Sequence, residues 1–161
     1  MAGAVKERQQ NGLLLQIRVV SWYGVRLLIL VAVYVGTGRL GLLLGPVGGF
    51  ATLVWVPSGL AVTALFLWGR AWWPAITLGA FLVNVLTGAP WFAAVGISIG
   101  DTLEALICTA LLKRWHVRPA LDSLHDVLIL VLLAAPTGAL VSATLGVGSL
   151  LLSGTSSTVR C

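Results

Sequence analysis

Phe50-Ala-Thr-Leu-Val-Trp-Val-Pro-Ser-Gly-Leu-Ala-Val-Thr-Ala-Leu-Phe-Leu-Trp-Gly-Arg-Ala-Trp-Trp-Pro74 is the stretch that decides the fold. From Phe50 to Trp68 it is an apolar run, about long enough for a bilayer core that takes about 20 residues. Trp55-Val-Pro-Ser-Gly59 interrupts it. Pro57 lacks an N–H and loosens the backbone one turn earlier. Ser58 can bond a freed carbonyl, and Gly59 lets another helix come close. Two readings stand side by side: a kink that helps packing, or a break that lines a pocket. Gly69-Arg70 and Trp72-Trp-Pro74 close the run with aromatic rings and a charge at interface depth.

Composition says the same of the whole chain. Of 161 residues, 58% are hydrophobic and only 9% are charged. Soluble domains carry about 25% charged residues, and the mean hydropathy here is +1.01. The expectation is an all-α, polytopic transmembrane bundle, with no room for a separate soluble catalytic domain. The net charge of +5 could point to nucleic acid. However, the basic residues sit in loops between apolar runs and form no patch, so nucleic acid is not expected as a partner. Cys108 lies inside an apolar run and Cys161 ends the chain, so neither a disulfide framework nor a metal spacing exists. The first apolar stretch is too long for a signal peptide, and no Ala-x-Ala-like site follows it.

Five spans are expected, at about 22–44, 50–68, 73–86, 91–112 and 127–152. Residues 1–20 are read as an N-terminal tail, with Leu13–Val20 a weakly periodic stretch. Arg39 falls about 25 Å beyond the start of the first span, near the far interface, where it either snorkels to headgroups or pairs inside the bundle. Gly45-Pro-Val-Gly-Gly49 is a hairpin turn and not a phosphate loop, since no Gly-Lys-Ser/Thr follows. The third span is short, which asks for a thinned bilayer or an end buried under neighbours. Asp122, Ser123 or Asp126 is suited to cap the last helix, and Ala134-Ala-Pro-Thr-Gly138 breaks it as Pro57 breaks the second. Gly96 and Gly100 form a small-xxx-small pair on the fourth span.

Charge sets the topology. The N-terminal tail, the Arg70 turn and the Lys113–Arg118 loop fall on one side if every span crosses, and the Gly45–Gly49 and Thr87–Pro90 turns carry no charge. The positive-inside rule then makes the N-terminus cytoplasmic. Five crossings put the C-terminus outside.

Asp101 and Glu104 carry the sharpest chemical signal. They lie three apart on one face of the fourth span, roughly 15–20 Å in from its outer end. An ionised carboxylate there costs about 2.5–3.5 kcal/mol on insertion scales, and a like charge beside it adds repulsion. At least one is expected to be neutral or paired. They form either a site for a ligand, proton or cation, or structural glue between helices. Asn84 can reach the fourth span or simply hold helices together. Trp55 can stack on a ligand or anchor at the interface. His116 and His125 lie in or beside a loop without a second ligand set, and are read as solvated. No nucleophile, base and acid come together in a motif, so no enzyme, metal or cofactor is expected.

Trp55-x-Pro57-Ser-Gly59, Trp68-Gly-Arg70, Trp73-Pro74, Gly79-Ala-Phe-Leu-Val-Asn84 and Asp101-x-x-Glu104-Ala, in that order, closely resemble the first type of bacterial membrane-associated sensor domain, the MASE families. The resemblance covers roughly Leu27 to Ser153. It implies a sensory input module of the bacterial inner membrane, multi-pass, that normally feeds a histidine kinase or diguanylate cyclase. It divides the chain into a cytoplasmic tail (1–20), the sensor domain (21–153) and a C-terminal tail (154–161). It also implies further spans beyond those present, so the chain is expected to be the front part of a longer or frameshifted member. The last residues are expected to lie outside the family pattern. Trp55, Pro57, Asn84, Asp101 and Glu104 are the candidates for sensing a signal. The expected partners are the lipid bilayer, an unknown small ligand, and a second copy or another membrane subunit. The alternative is a fragment of a small-solute or proton-coupled transporter, since such proteins use broken spans and midplane carboxylates. A third reading is a bundle whose polar residues only hold helices together.

Overall fold

The computed structural model describes residues 2–44, 46–47, 51–52 and 55–152, with side chains from Ser21 to Leu43 and from Trp55 to Leu152. The C-terminal tail expected at 154–161 lies outside the described residues. Five helices make the fold: α1 (Ala2–Leu44), α2 (Val56–Trp68), α3 (Trp73–Leu86), α4 (Trp91–Arg114) and α5 (Leu124–Leu152). Between α1 and α2, β1 (Pro46–Val47) and β2 (Ala51–Thr52) pair antiparallel, Pro46 opposite Thr52 and Val47 opposite Ala51. The rest of what is described is helix or short turn.

Among the described residues, three helices are long and apolar enough to cross a membrane: α4, α5 and the Ser21–Leu43 part of α1. With 13 and 14 residues, α2 and α3 are each only about 20 Å long. The second helix was expected from about Phe50, but it begins at Val56. The reason is local. Pro57 takes the first turn, where its missing N–H is no loss, and the Ser58 N–H and hydroxyl both bond the Trp55 carbonyl, at 3.1 and 2.9 Å. The Pro-Ser-Gly element therefore starts a helix and does not kink one. At the other end of the chain's apolar part, α5 starts at Leu124, where Ser123 Oγ accepts from the Asp126 N–H at 3.2 Å. It is not broken at Ala134–Gly138 either. A π-helical turn, Ile129–Ala134, precedes Pro136, with the Ala135 N–H bonded to the Leu130 carbonyl. One wide turn absorbs the proline that a regular ladder could not hold. On the N-terminal side, the stretch read as a tail continues α1 as helix back to Ala2.

The turns are chosen by their residues. Gly69, at φ +97°, ends α2, and its N–H bonds the Leu65 carbonyl at 3.1 Å. Gly88, at φ +86°, ends the turn after α3, where the Thr87 hydroxyl accompanies the Val83 and Asn84 carbonyls. Arg39 is exposed, and its guanidinium donates to the Leu86 carbonyl at 3.3 Å, at the end of α3; among the described residues no ion pair of Arg39 inside the bundle is found. An orphan carbonyl at a helix C-terminus is a natural partner for Arg.

The helices wrap around α4, which packs on α2, α3 and α5, while α1 closes the far side against α2 and α3. Tyr34, Leu65, Ile76 and Val83 fill the core, with Ala61, Ala80 and Ala105 letting the backbones approach. Tyr34 owes its place to Gly79, where a Cβ would lie 2.8 Å from the tyrosine ring. The α4–α5 seam is built the same way. A Cβ on Gly96 would collide with Ser149, and one on Gly100 would lie 3.2 Å from the Ser142 carbonyl. In lipid, where apolar surface gives helices no reason to associate, such close seams supply the packing.

Charge gathers at one end. Tyr23 bonds the Ala71 carbonyl and stacks on Trp72. Arg26 lies over Trp22, and Lys113 over Phe66 near the end of α2. Arg70, Lys113, Arg114 and Arg118 therefore share an end with Trp22, Trp68, Trp72 and Trp115, the mixture of cations and aromatic rings that marks a membrane interface.

Candidate functional site

A cavity of about 650 Å³ lies against α4, between the start of α2, the turn after α3 and the middle of α5. Trp55, Ser58, Asn84, Asp101, Glu104 and Ser142 supply its polar wall; Ile97, Ala139, Val147 and Leu150 are part of its apolar one. Four of the five sequence candidates thus line one space. Pro57 does not. It is buried on the opposite side of its turn, toward Gly38 of α1. The helix start presents Trp55 and Ser58 to the cavity and turns the proline into the core.

Asp101 is 9% exposed. The Tyr34 hydroxyl donates to its Oδ2 at 3.3 Å and the Ser142 hydroxyl to its Oδ1 at 3.1 Å, so one carboxyl ties α1, α4 and α5. Gly100 makes this possible: the chain of α5 reaches Asp101 only because its neighbour has no side chain. Trp55 faces the same carboxyl. Glu104, one turn further along α4, is half-buried. Its methylenes rest on Gly138 of α5, where a Cβ would lie 3.0 Å from Glu104 Cγ, and Ser142 faces its carboxyl too.

Asn84 lines the cavity but does not bond α4. Its Nδ2 donates to the Ala80 carbonyl at 2.8 Å, within α3. The α3–α4 polar link is made instead by Thr77 and Thr102, 2.8 Å apart. Tyr34 and Ser142 are the partners of the Asp101 carboxyl that sequence reading passed over as site candidates. Tyr34 is the one phenol deep in the first apolar span, and Ser142 stands in the Ser142-Ala-Thr-Leu-Gly146 run of small and polar residues on the last.

A second cavity, about 270 Å³, continues toward the basic end, lined by Phe66, Cys108, Leu112, Arg118 and Leu121 among others. Ser58 and Glu104 line both cavities. Glu104 therefore stands at the waist of a groove along α4. Near the second cavity the Cys108 thiol donates to the Ala134 carbonyl at 3.0 Å, fastening α4 to the π-helical turn. His116, at φ +54°, ends α4, and His125 Nδ1 lies 3.6 Å from Asp126 Oδ1. Among the described residues no three His, Cys, Asp or Glu side chains are placed to share a metal ion.

Comparison with curated proteins and with solved structures gave no match. The MASE1 family model matches residues 25–160, and so runs past Ser153, through a tail that was expected to lie outside the pattern. By that match the chain is a membrane protein with a sensory role, and it belongs to the MASE1 family of membrane-associated sensor domains.

Proposed function

We propose that the cavity around Trp55, Asn84, Asp101 and Glu104 is where this input domain senses its signal, and that occupancy shifts α5 against α4. The observation that carries the reading is the Tyr34–Asp101–Ser142 cluster. A single carboxyl in the cavity wall holds three helices, so whatever disturbs it bears on their packing. Carboxyls inside a membrane bundle are functional candidates by default. The module sits in the bacterial inner membrane as a multi-pass protein with its basic end in the cytoplasm, works without catalysis, and feeds a histidine kinase or diguanylate cyclase. The test is Asp101→Asn with Glu104→Gln in a relative that carries its output domain. Output that no longer follows the stimulus supports the reading, and unchanged signalling sinks it.

One observation favours a second reading, a small-solute or proton-coupled transporter fragment: Glu104 and Ser58 line both cavities, as a path along α4 requires. Uptake into proteoliposomes that collapses with an uncoupler would support it.

A further inference from the structure

We propose that the larger cavity takes an apolar molecule bearing a protonated amine, with the ammonium on Glu104 and the face of Trp55. This rests on reading the cavity as the sensory site, and it names the class of ligand.

The wall decides the charge. The described residues that line the larger cavity include two carboxyls and no Lys, Arg or His. An anion would meet like charge and no counter-ion. For a metal ion, no three His, Cys, Asp or Glu side chains among the described residues are placed to share one, and Asp101 already receives a hydroxyl on each oxygen. Glu104 shares only Ser142 with that network and opens to both cavities. It is the group left to receive a donor from outside the protein. An N–H-bearing ammonium fits such a carboxyl with charge-assisted hydrogen bonds, and the Trp55 ring offers a cation–π face in the same wall. The remaining wall, with Ile97, Val147 and Leu150, suits an alkyl or ring body. At about 650 Å³ the space lies within the range of small-molecule sites, about 300–1,000 Å³.

Depth decides the source. On α4, which runs from Trp91 to Arg114, Glu104 stands about 20 Å from one end and about 15 Å from the other. A lipid amine would have to leave its interface to reach it. A free amphiphilic amine, entering from the bilayer, would not.

The test uses the whole chain in phosphatidylcholine nanodiscs, titrated with octylammonium, octanol and octanoate while tryptophan fluorescence is followed. The expected result is a saturable change with octylammonium that Trp55→Phe removes. Octanol should bind about tenfold more weakly, and octanoate should not compete. Glu104→Gln should lose about tenfold in amine affinity, bringing amine and alcohol together, because the ammonium then faces a neutral group. Glu104→Asp keeps the preference. If Glu104→Gln does not fold, Ala143→Leu, which narrows the cavity and keeps the carboxyl, must weaken amine binding. A preference for amine that survives Glu104→Gln, competition by octanoate, or no saturable change overturns the proposal. The same variants in an output-bearing relative separate the two readings. Amine binding lost with output unchanged keeps the ligand class and removes the sensory role. Output altered by Glu104→Gln with no amine preference does the reverse.

Discussion

The hydroxyl of Tyr34 can be removed while its ring stays packed in the core, and its loss measures how the three-helix cluster is held. Tyr34 is fully buried, and Tyr34→Phe keeps the ring that packs on Gly79. The 3.3 Å bond to Asp101 goes, together with the hydroxyl's contact with the Trp55 side chain, and the double-mutant cycle isolates the first. That distance is long for an O–H···O bond, which centres at about 2.7–2.8 Å. Interhelical hydrogen bonds in membranes average about 0.6 kcal/mol in double-mutant cycles and reach about 1.7, so a long bond belongs near the average. The cycle of Tyr34→Phe, Asp101→Ala and the double variant should therefore give a coupling of about 0.6 kcal/mol, about a threefold change in the folding constant. Tyr34→Ala, which also deletes the ring, should cost about 3–5 kcal/mol. The assay is reversible unfolding in mixed micelles titrated with a denaturing detergent, followed by tryptophan fluorescence. A coupling near zero would refute the argument that Asp101 holds α1 through Tyr34. Asp101 would then owe its place to Ser142 and to packing.

Other outcomes follow from single contacts. Gly138→Ala puts a Cβ onto Cys108 Sγ and near Glu104; the overpacking should cost about 1–3 kcal/mol in the same unfolding assay, and Cys108→Ala should recover part of it. Ser123→Ala removes the cap that accepts from Asp126 and should cost about 1 kcal/mol. Arg39→Gln takes the guanidinium from the end of α3 and should cost under about 1 kcal/mol; a loss several times larger would mean Arg39 is paired elsewhere. Cysteines placed singly at Arg70 and at Arg118, in a chain lacking Cys108 and Cys161, should react with a membrane-impermeant maleimide from the same side; opposite labelling contradicts the shared basic end.

The helical class and the third and fourth helices were legible because hydropathy and turn residues agree there: α3 is Trp73–Leu86 and α4 opens at Trp91, after the Gly88 and Pro90 turn. Proline was harder to read. Apolar runs show a bilayer length, but they do not say whether a proline sits inside a helix or begins one. Pro57 begins α2, and Pro136 is carried by a π-helical turn. Both outcomes depend on which carbonyls find other partners, and that is settled by tertiary contacts. The carboxyls were visible as costs in an apolar run. Their hydroxyl donors were not, since Tyr34 lies 67 residues and Ser142 41 residues from Asp101. Asn84 invited a cross-helix bond, but its amide lies within reach of its own preceding turn, and the local bond to Ala80 won.

The way α5 is held bears on how a signal at the cavity could leave it. Only 11% of the apolar stretch of α5 is buried, against 44% for α4. It packs on the bundle along one face, against α4: the small-residue seam at Gly96, Gly100 and Gly138, the Ser142–Asp101 bond, and the Cys108–Ala134 bond. The apolar stretch of α1, Ser21–Leu43, by contrast, is pinned near both ends, by Tyr23 to the α2–α3 turn and by Arg39 to the end of α3. A ligand drawn to Glu104 would compete for the Ser142 side of the cluster and leave the Tyr34 side in place. The least costly response is a shift of α5 along α4, with α1, α2 and α3 acting as the fixed frame. Cysteine pairs across the α4–α5 seam, at Ile97 and Gly146, where a Cβ on the glycine would lie 3.8 Å from the isoleucine side chain, should then cross-link at a rate that ligand changes, while pairs across α1 and α3 should not respond. Equal response at both seams would mean that the bundle moves as a whole and that α5 is not the moving part.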